Sequence, residues 1–212
     1  YNKGQILYRL AEMLEGRRAQ FVDEIVTVTG VSKAKAEKEV TDSVDRLVWY
    51  AGWSDKISSL SGALNPVAGP YYNFTIPESM GVIAAIAPET PSLLGLIDSI
   101  APIIVGGNTI IVLASSKAPL SAMSFAEVIA TSDVPAGVIN ILTGKKDEIT
   151  PWMASHMDID GLDISGLGAK KHAEVKSAGS ENLKRIYSFK SADPGRILAF
   201  MENKTVWHPI GL

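Results

Sequence analysis

The sequence predicts an α/β fold, a mostly parallel sheet covered by helices and preceded by a helical N-terminal segment. Three observations carry this. Short apolar runs recur at 81–86, 109–113, 137–142, 161–164 and 183–187. The segments between them, near 92–105, 119–131, 146–156 and 167–178, are long enough for crossover helices, and such alternation is what a parallel sheet with both faces covered requires. Before all of these, apolar residues recur at three-and-four spacing instead.

In chain order, Ile6, Leu7, Leu10, Ala11 and Leu14 form one helical stripe, and Val40, Val44, Leu47, Val48 and Ala51 form a second. Gly30 and Ser32 supply a stop and an N-cap between them, so two amphipathic helices are expected. From Ser58 to Pro70 the composition turns to Ser, Gly, Asn and Pro, which reads as a connection and places a seam there. Thr109–Leu113, near-continuous Ile and Val, suits a central strand buried on both faces. Pro119 opens the next helix where its missing N–H costs little. The stretch Leu93–Val105, broken by Asp98, Ser99 and Pro102, is too short for a membrane span and fits a buried helix. Near the end, Asp193-Pro194 can start a short helix and Thr205-Val-Trp207 a strand that docks on a sheet or a partner. The expected division is a helical segment at 1–62, a sheet domain at 63–192 and a helix-and-strand tail at 193–212.

Composition narrows the function classes. The 212 residues are 46% hydrophobic and 20% charged, enough to bury a substantial core. A net charge of −3 with Lys and Arg interspersed among Asp and Glu gives no phosphate-backbone footprint, so neither nucleic acid nor membrane is expected as a partner. Zero cysteine excludes disulfides and thiolate metal sites and, with no basic-then-apolar opening, favours a cytoplasmic location. The chain opens on Tyr1 and not Met, which suggests a piece of a longer polypeptide.

Four motifs in order are more specific: Gly81-Val-Ile-Ala-Ala-Ile-Ala-Pro88, Gly106-Gly-Asn-Thr-Ile-Ile-Val112, Pro119-Leu120, and Val134-Pro-Ala-Gly-Val-Ile-Asn-Ile-Leu-Thr-Gly144. Together with the opening helix they resemble the Rossmann-like nucleotide-binding domain of aldehyde dehydrogenases over nearly the whole chain. The resemblance does not extend to that family's catalytic domain, and the chain is similar to the second module of two-module aldehyde dehydrogenases, which lacks the cysteine.

The resemblance implies NAD or NADP as cofactor, if any, and it is at the expected functional positions that the sequence departs. In the family, a Pro-Trp-Asn-Phe-Pro stretch supplies an oxyanion-hole Asn; here Pro88-Glu-Thr-Pro-Ser92 places Thr90 there and Glu89 beside it. The Lys and Glu that hold the adenosine ribose fall on Leu113 and Ser116, with Lys117 close enough to substitute only after a loop shift. The family's Phe-Thr-Gly-Ser-Thr segment corresponds to Ile164-Ser-Gly-Leu-Gly168, where backbone amides at a helix start favour a pyrophosphate. Candidate cofactor-binding residues are therefore Ser165, Gly166, Gly168 and Lys117. The motif carrying the general base has no carboxylate counterpart in Ile186-Tyr-Ser-Phe-Lys190, and no catalytic residue or metal ligand is assigned.

Other residues read as structural. His156, His172 and His208 share no metal-ligand spacing. Ser115, Ser116, Ser121 and Ser124 lack a nucleophile-elbow context and suit loops and caps. Gly106-Gly107 reads as a helix C-cap feeding a buried strand, with room for a cofactor as the alternative. Trp49, Tyr50 and Trp53 read as core or interface. Three functions follow in order: a non-catalytic assembly module of a larger aldehyde dehydrogenase; a residual NAD(P)-binding or regulatory domain; and an independent enzyme using Glu89 with Lys117. Homo-oligomerisation, or docking onto another aldehyde dehydrogenase module, is expected, with Val206 and Trp207 taking part.

Overall fold

A computed structural model describes residues 2–211. The helical segment contains α1 (Asn2–Gly16), α2 (Arg18–Thr29) and α3 (Lys33–Ala51). The first of the two expected helices is thus divided, because the backbone leaves helical geometry at Arg17, immediately after Gly16. Gly30, left-handed at φ 70°, ends α2, and the Ser32 side chain accepts from the Lys35 amide to start α3.

The expected connection at 58–70 holds a short helical turn, α4 (Ile57–Ser61), and a two-residue strand, β1 (Ala63–Leu64). It leads into β2 (Tyr71–Ser79), which the sequence reading left unassigned. Then come β3 (Val82–Ile86), α5 (Ser92–Gly106), β4 (Thr109–Leu113), α6 (Leu120–Ala130), β5 (Ile139–Leu142), α7 (Lys146–Ser155), β6 (Gly161–Asp163), α8 (Ala169–Ser180) and β7 (Arg185–Tyr187). The tail forms α9 (Gly195–Leu198) and β8 (Met201–Pro209).

Five strands form a parallel sheet in the order β5-β4-β3-β6-β7. Side chains alternate across it. Ile83, Ala85 and Ala87 join one core with Ile110, Val112, Leu96, Ile100 and Phe125, whereas Ala84 and Ile86 join a second with Leu113, Leu162, Met153 and Val175 under α7 and α8. The first core also takes in Leu7, Leu10, Phe21, Val40, Leu47 and Tyr50, so the N-terminal helices share the sheet's core. Tyr50 is fully buried, and Trp49 lies edge-on to both Tyr50 and Trp53.

A second, antiparallel sheet has the order β1-β2-β8, with Tyr71 opposite Pro209 and Ser79 opposite Met201. Asn108 ties the two sheets together. Its Oδ1 accepts from the Met80 and Gly81 amides at 2.7 and 2.9 Å, and its Nδ2 donates to the Phe200 carbonyl at 2.8 Å. Gly107, left-handed at φ 86°, caps α5 and turns the chain into β4, the structural role read for the Gly pair. The tail is pinned by a buried ion pair, Arg196 to Asp163 at the end of β6, 2.8 Å apart with both side chains at most 5% exposed.

Candidate functional site

In an open parallel sheet the crevice for a ligand lies outside the carboxyl ends of the strands, where the strand order reverses. Here that point falls between β3 and β6, since the chain leaves β3 for β4 and β5 on one side and returns to β6 and β7 on the other. An open groove of about 400 Å³ lies there. Glu89 comes from the segment after β3, Ser116 from the loop after β4, Lys145 and Lys146 from the start of α7, and Gly166 and Gly168 from the turn before α8, which adds Lys171.

Glu89 is the most heavily bonded of these. Its carboxylate accepts from Ser115 Oγ at 2.8 Å, Ser116 Oγ at 2.9 Å and the Lys117 amide at 3.2 Å, and pairs with Lys146 Nζ at 3.0 Å. Burial pushes the carboxyl up, but hydrogen bonds from Lys146, Ser115, the Lys117 amide and Ser116 outweigh it and hold the group down at about 2. Lys146 is itself buried, and its ammonium also donates to the Ala87 carbonyl. The other two lysines have carboxylates as well: Lys145 pairs with Glu148 at 3.0 Å, and Lys171 reaches from α8 to Asp147 on α7.

Of the four residues expected from sequence, Gly166 and Gly168 line this groove and Ser165 and Lys117 do not. Gly166 serves close approach: its amide donates to the Ile86 carbonyl at 2.8 Å, and a Cβ would lie 2.2 Å from the Ala87 oxygen. Gly168, the N-cap of α8, has open space around it. The Ser165 hydroxyl donates to Asp163 and accepts from the Phe189 amide at 2.8 Å, so its bonds go to neighbouring backbone and carboxylate. Lys117 engages Glu89 through its backbone N–H, and its side chain is exposed. Thr90 belongs to a different cleft, of about 300 Å³, between α2, α3 and the start of α5, where Glu39 accepts from the Leu93 amide at 2.8 Å.

The sequence reading missed Lys145, Lys146, Lys171 and Asp147. One signal was available: Lys145 and Lys146 stand at a helix start, where positive charge opposes the macrodipole, so they require carboxylate or carbonyl partners. Ser115 and Ser116 lie in the loop after β4, as expected, with Ser115 accepting from the Ala118 amide, whereas Ser121 and Ser124 lie within α6, where Ser124 donates to Glu24. Among the described residues no group of three or more His, Asp or Glu side chains is arranged to hold a metal ion, and no helix is long and apolar enough to cross a membrane.

Comparison with known proteins bears on the family and the fold. Residues 1–188 match the Aldehyde dehydrogenase family. Retinal dehydrogenase 2 of Gallus gallus is 33% identical over 189 residues, covering 87% of this chain and 35% of that protein. Omega-crystallin of Enteroctopus dofleini is 31% identical over 184 residues, covering 86% of this chain and 36% of that protein. The chain thus spans about a third of the length of the curated relatives it matches, over their N-terminal nucleotide-binding half. Among solved structures, betaine aldehyde dehydrogenase of Staphylococcus aureus in complex with NAD⁺ superposes with a TM-score of 0.81 at 22% identity, covering 87% of this chain and 37% of that one. An aldehyde dehydrogenase from Bacillus cereus gives 0.82 at 24%, with the same coverage. At these identities the structural likeness establishes the fold.

Proposed function

The chain belongs to the aldehyde dehydrogenase family, and from that premise we propose that this nucleotide-binding half serves as a non-catalytic structural and assembly domain of a larger, cytoplasmic NAD(P)-dependent aldehyde dehydrogenase. One observation carries the reading: each lysine lining the switch-point groove is paired with a carboxylate of the same chain, Lys145 with Glu148, Lys146 with Glu89 and Lys171 with Asp147. A dinucleotide's pyrophosphate needs free cations or amides at that place. Instead it would meet Glu89, held ionised by four donors, and would have to break ion pairs already made. The side chains lining the groove therefore offer a pyrophosphate only cations that are already paired, and the backbone at the start of α8 is what remains open to it. At the two ribose-holding positions, Leu113 is buried in the core and Ser116 donates to Glu89. The chain has no cysteine to act as a thiolate nucleophile, and Glu89 faces Lys146 and not the Lys117 ammonium, which removes the geometry of an acid–base pair from those two residues.

A second reading, a residual NAD(P)-binding or regulatory domain, has one observation in its favour: the turn at Gly166 and Gly168 opens the start of α8 to the groove. Calorimetric titration with NAD and NADP separates the two. The assembly reading expects no saturable heat up to about 1 mM; binding tighter than that, about 4 kcal/mol, would establish the regulatory reading in its place.

A further inference from the structure

β5 ends the order β5-β4-β3-β6-β7, and among the described residues no strand pairs with its outer side. The direction of its backbone groups follows from two hydrogen bonds. The Ile110 amide donates to the Val138 carbonyl and the Ala114 amide to the Leu142 carbonyl, both at 2.9 Å. Successive residues of a strand point their N–H and C=O groups to opposite sides. Val138, Asn140 and Leu142 therefore bond to β4, while Ile139 and Ile141 turn their N–H and C=O groups outward. The opposite edge is engaged by the tail, since Arg185 of β7 donates to the Met201 carbonyl at 2.8 Å.

The side chains beside these outward groups are apolar. An open groove of about 360 Å³ lies between β5 and the C-terminal half of α6, lined by Ala126, Ile129, Ala130, Val134, Ile139 and Ile141 and by no charged side chain. Exposed edges are ordinarily blunted by proline, by bulges or by charge, and β5, Ile139-Asn-Ile-Leu142, has neither proline nor charge. The nearest charged residues are Asp133 before it and Lys145 after it, both exposed. A strand that pairs antiparallel with β5 must therefore present apolar side chains at alternate positions, an acidic residue at its amino end and a basic one at its carboxyl end. β5 itself has each of these.

We propose that two copies of this chain join edge to edge through β5, antiparallel about a two-fold axis at Asn140, making one continuous sheet of the two five-stranded ones. In this register Ile139 bonds to Ile141 of the second copy, so each outward residue meets an outward residue and the two apolar grooves close on each other. Leu142, 40% exposed, lies opposite Val138 of the second copy. The Asp133 end of each copy meets the Lys145 end of the other, so opposite charges face one another. Neighbouring registers fail. An axis at Ile139 sets Ile141 against Gly137, left-handed at φ 82° and outside the strand, and one at Ile141 sets Asn140 against Leu142 and Ile139 against Thr143, past the strand's end. The inference rests on the assembly reading and gives it a surface.

Pairing through a strand of 4 residues is expected to be weak, with a dissociation constant on the order of 10 µM. The test is the mass in solution of the full chain, Ile141→Pro and Ile141→Val by analytical ultracentrifugation across about 1–100 µM, a span that brackets that value. Ile141→Pro removes an outward N–H, and with it half of the bonds across the axis, but no bond to β4. Ile141→Val keeps the N–H and an apolar side chain. The native chain and Ile141→Val are expected to dimerise, and Ile141→Pro to raise the dimer dissociation constant about tenfold or more. Equal dimerisation of all three would overturn the β5 pairing and leave the assembly reading standing. A monomeric native chain would overturn the pairing as well, and the assembly reading then stands or falls on the cofactor titration. Should Ile141→Pro not fold, hydrogen exchange of the native chain decides: the Ile139 and Ile141 amides must slow as concentration rises, and fast exchange at every concentration refutes the pairing.

Discussion

Replacing Arg196 by Met tests whether the tail is held to the sheet by its buried charge. Arg196 Nη2 lies 2.8 Å from Asp163 Oδ2, the two side chains are 5% and 2% exposed, and the guanidinium stacks 4.9 Å from the Phe189 ring. Asp163 Oδ1 also accepts from the Ser165 amide at 2.9 Å, so the carboxylate stays where it is after the substitution, buried with its counter-charge gone. Breaking a buried pair from one side costs about 3–5 kcal/mol, because the remaining charge has neither water nor a counter-ion. For a chain of this size each kcal/mol moves the melting temperature by about 2–4 °C, so a drop of roughly 6–20 °C is expected. Urea unfolding followed by tryptophan fluorescence should show the midpoint fall with an unchanged slope. Asp163→Asn keeps the Oδ1 acceptor for Ser165 and removes the charge. The double variant should therefore be more stable than Arg196→Met alone by at least about 1 kcal/mol, the coupling a direct charge pair requires. An Arg196→Met variant within about 1 kcal/mol of the native chain, or one no less stable than the double variant, would refute the argument.

Gly166→Ala should cost about 1–3 kcal/mol or more, since its Cβ would stand 2.2 Å from the Ala87 oxygen and 2.3 Å from the Ile86 oxygen, both backbone atoms that cannot rotate aside. Urea denaturation measures the cost, and a neutral result would mean the turn has room to move. Glu89 makes stability depend on pH: its carboxyl sits at about 2 in the folded chain against about 4.3 unfolded, so its contribution is complete above about 4.5 and is lost as pH falls towards 2. Because the group is partly exposed, Glu89→Gln should lower stability by only about 1–2 kcal/mol at pH 6, and the deficit should narrow to less than half at pH 3. An equal deficit at the two pH values would show that the carboxylate's charge is not what the surrounding donors hold.

The parallel sheet was legible because its central strands are buried on both faces. The Thr109–Leu113 run and Gly81–Ile86 carry almost no polar residues and pair with each other, while their outer neighbours β5 and β6 are short runs with a single polar residue each, Asn140 and Asp163. Strand β2 was not legible, because its residues are mostly exposed or half-buried without alternation, its one buried residue is the polar Asn73, and it includes Pro77. Pro77 lies opposite Asn203, a non-bonded pair in the β2–β8 ladder, so its missing N–H faces the side beyond the end of β1. Of β8, only Thr205-Val-Trp207 carried the β-branched and aromatic signal; Met201–Lys204 became strand because β2 was there to pair with.

The same division holds at the candidate site. By itself the sequence determined the fold class, the family resemblance and the absence of cysteine from these 212 residues, since apolar periodicity and residue identity are local properties of the chain. It marked Gly166 without its reason, which is the pair of carbonyls at the end of β3 pressed against that glycine. Only the tertiary structure decided that the groove's lysines are neutralised by Glu89, Asp147 and Glu148, that Ser165 serves Asp163 and the Phe189 amide, and that Arg196 holds the tail. Charge pairing and hydrogen bonding depend on distances of a few ångströms between residues as far apart as Glu89 and Lys146, and a linear sequence fixes those distances only after the sheet has brought the loops at its carboxyl edge together.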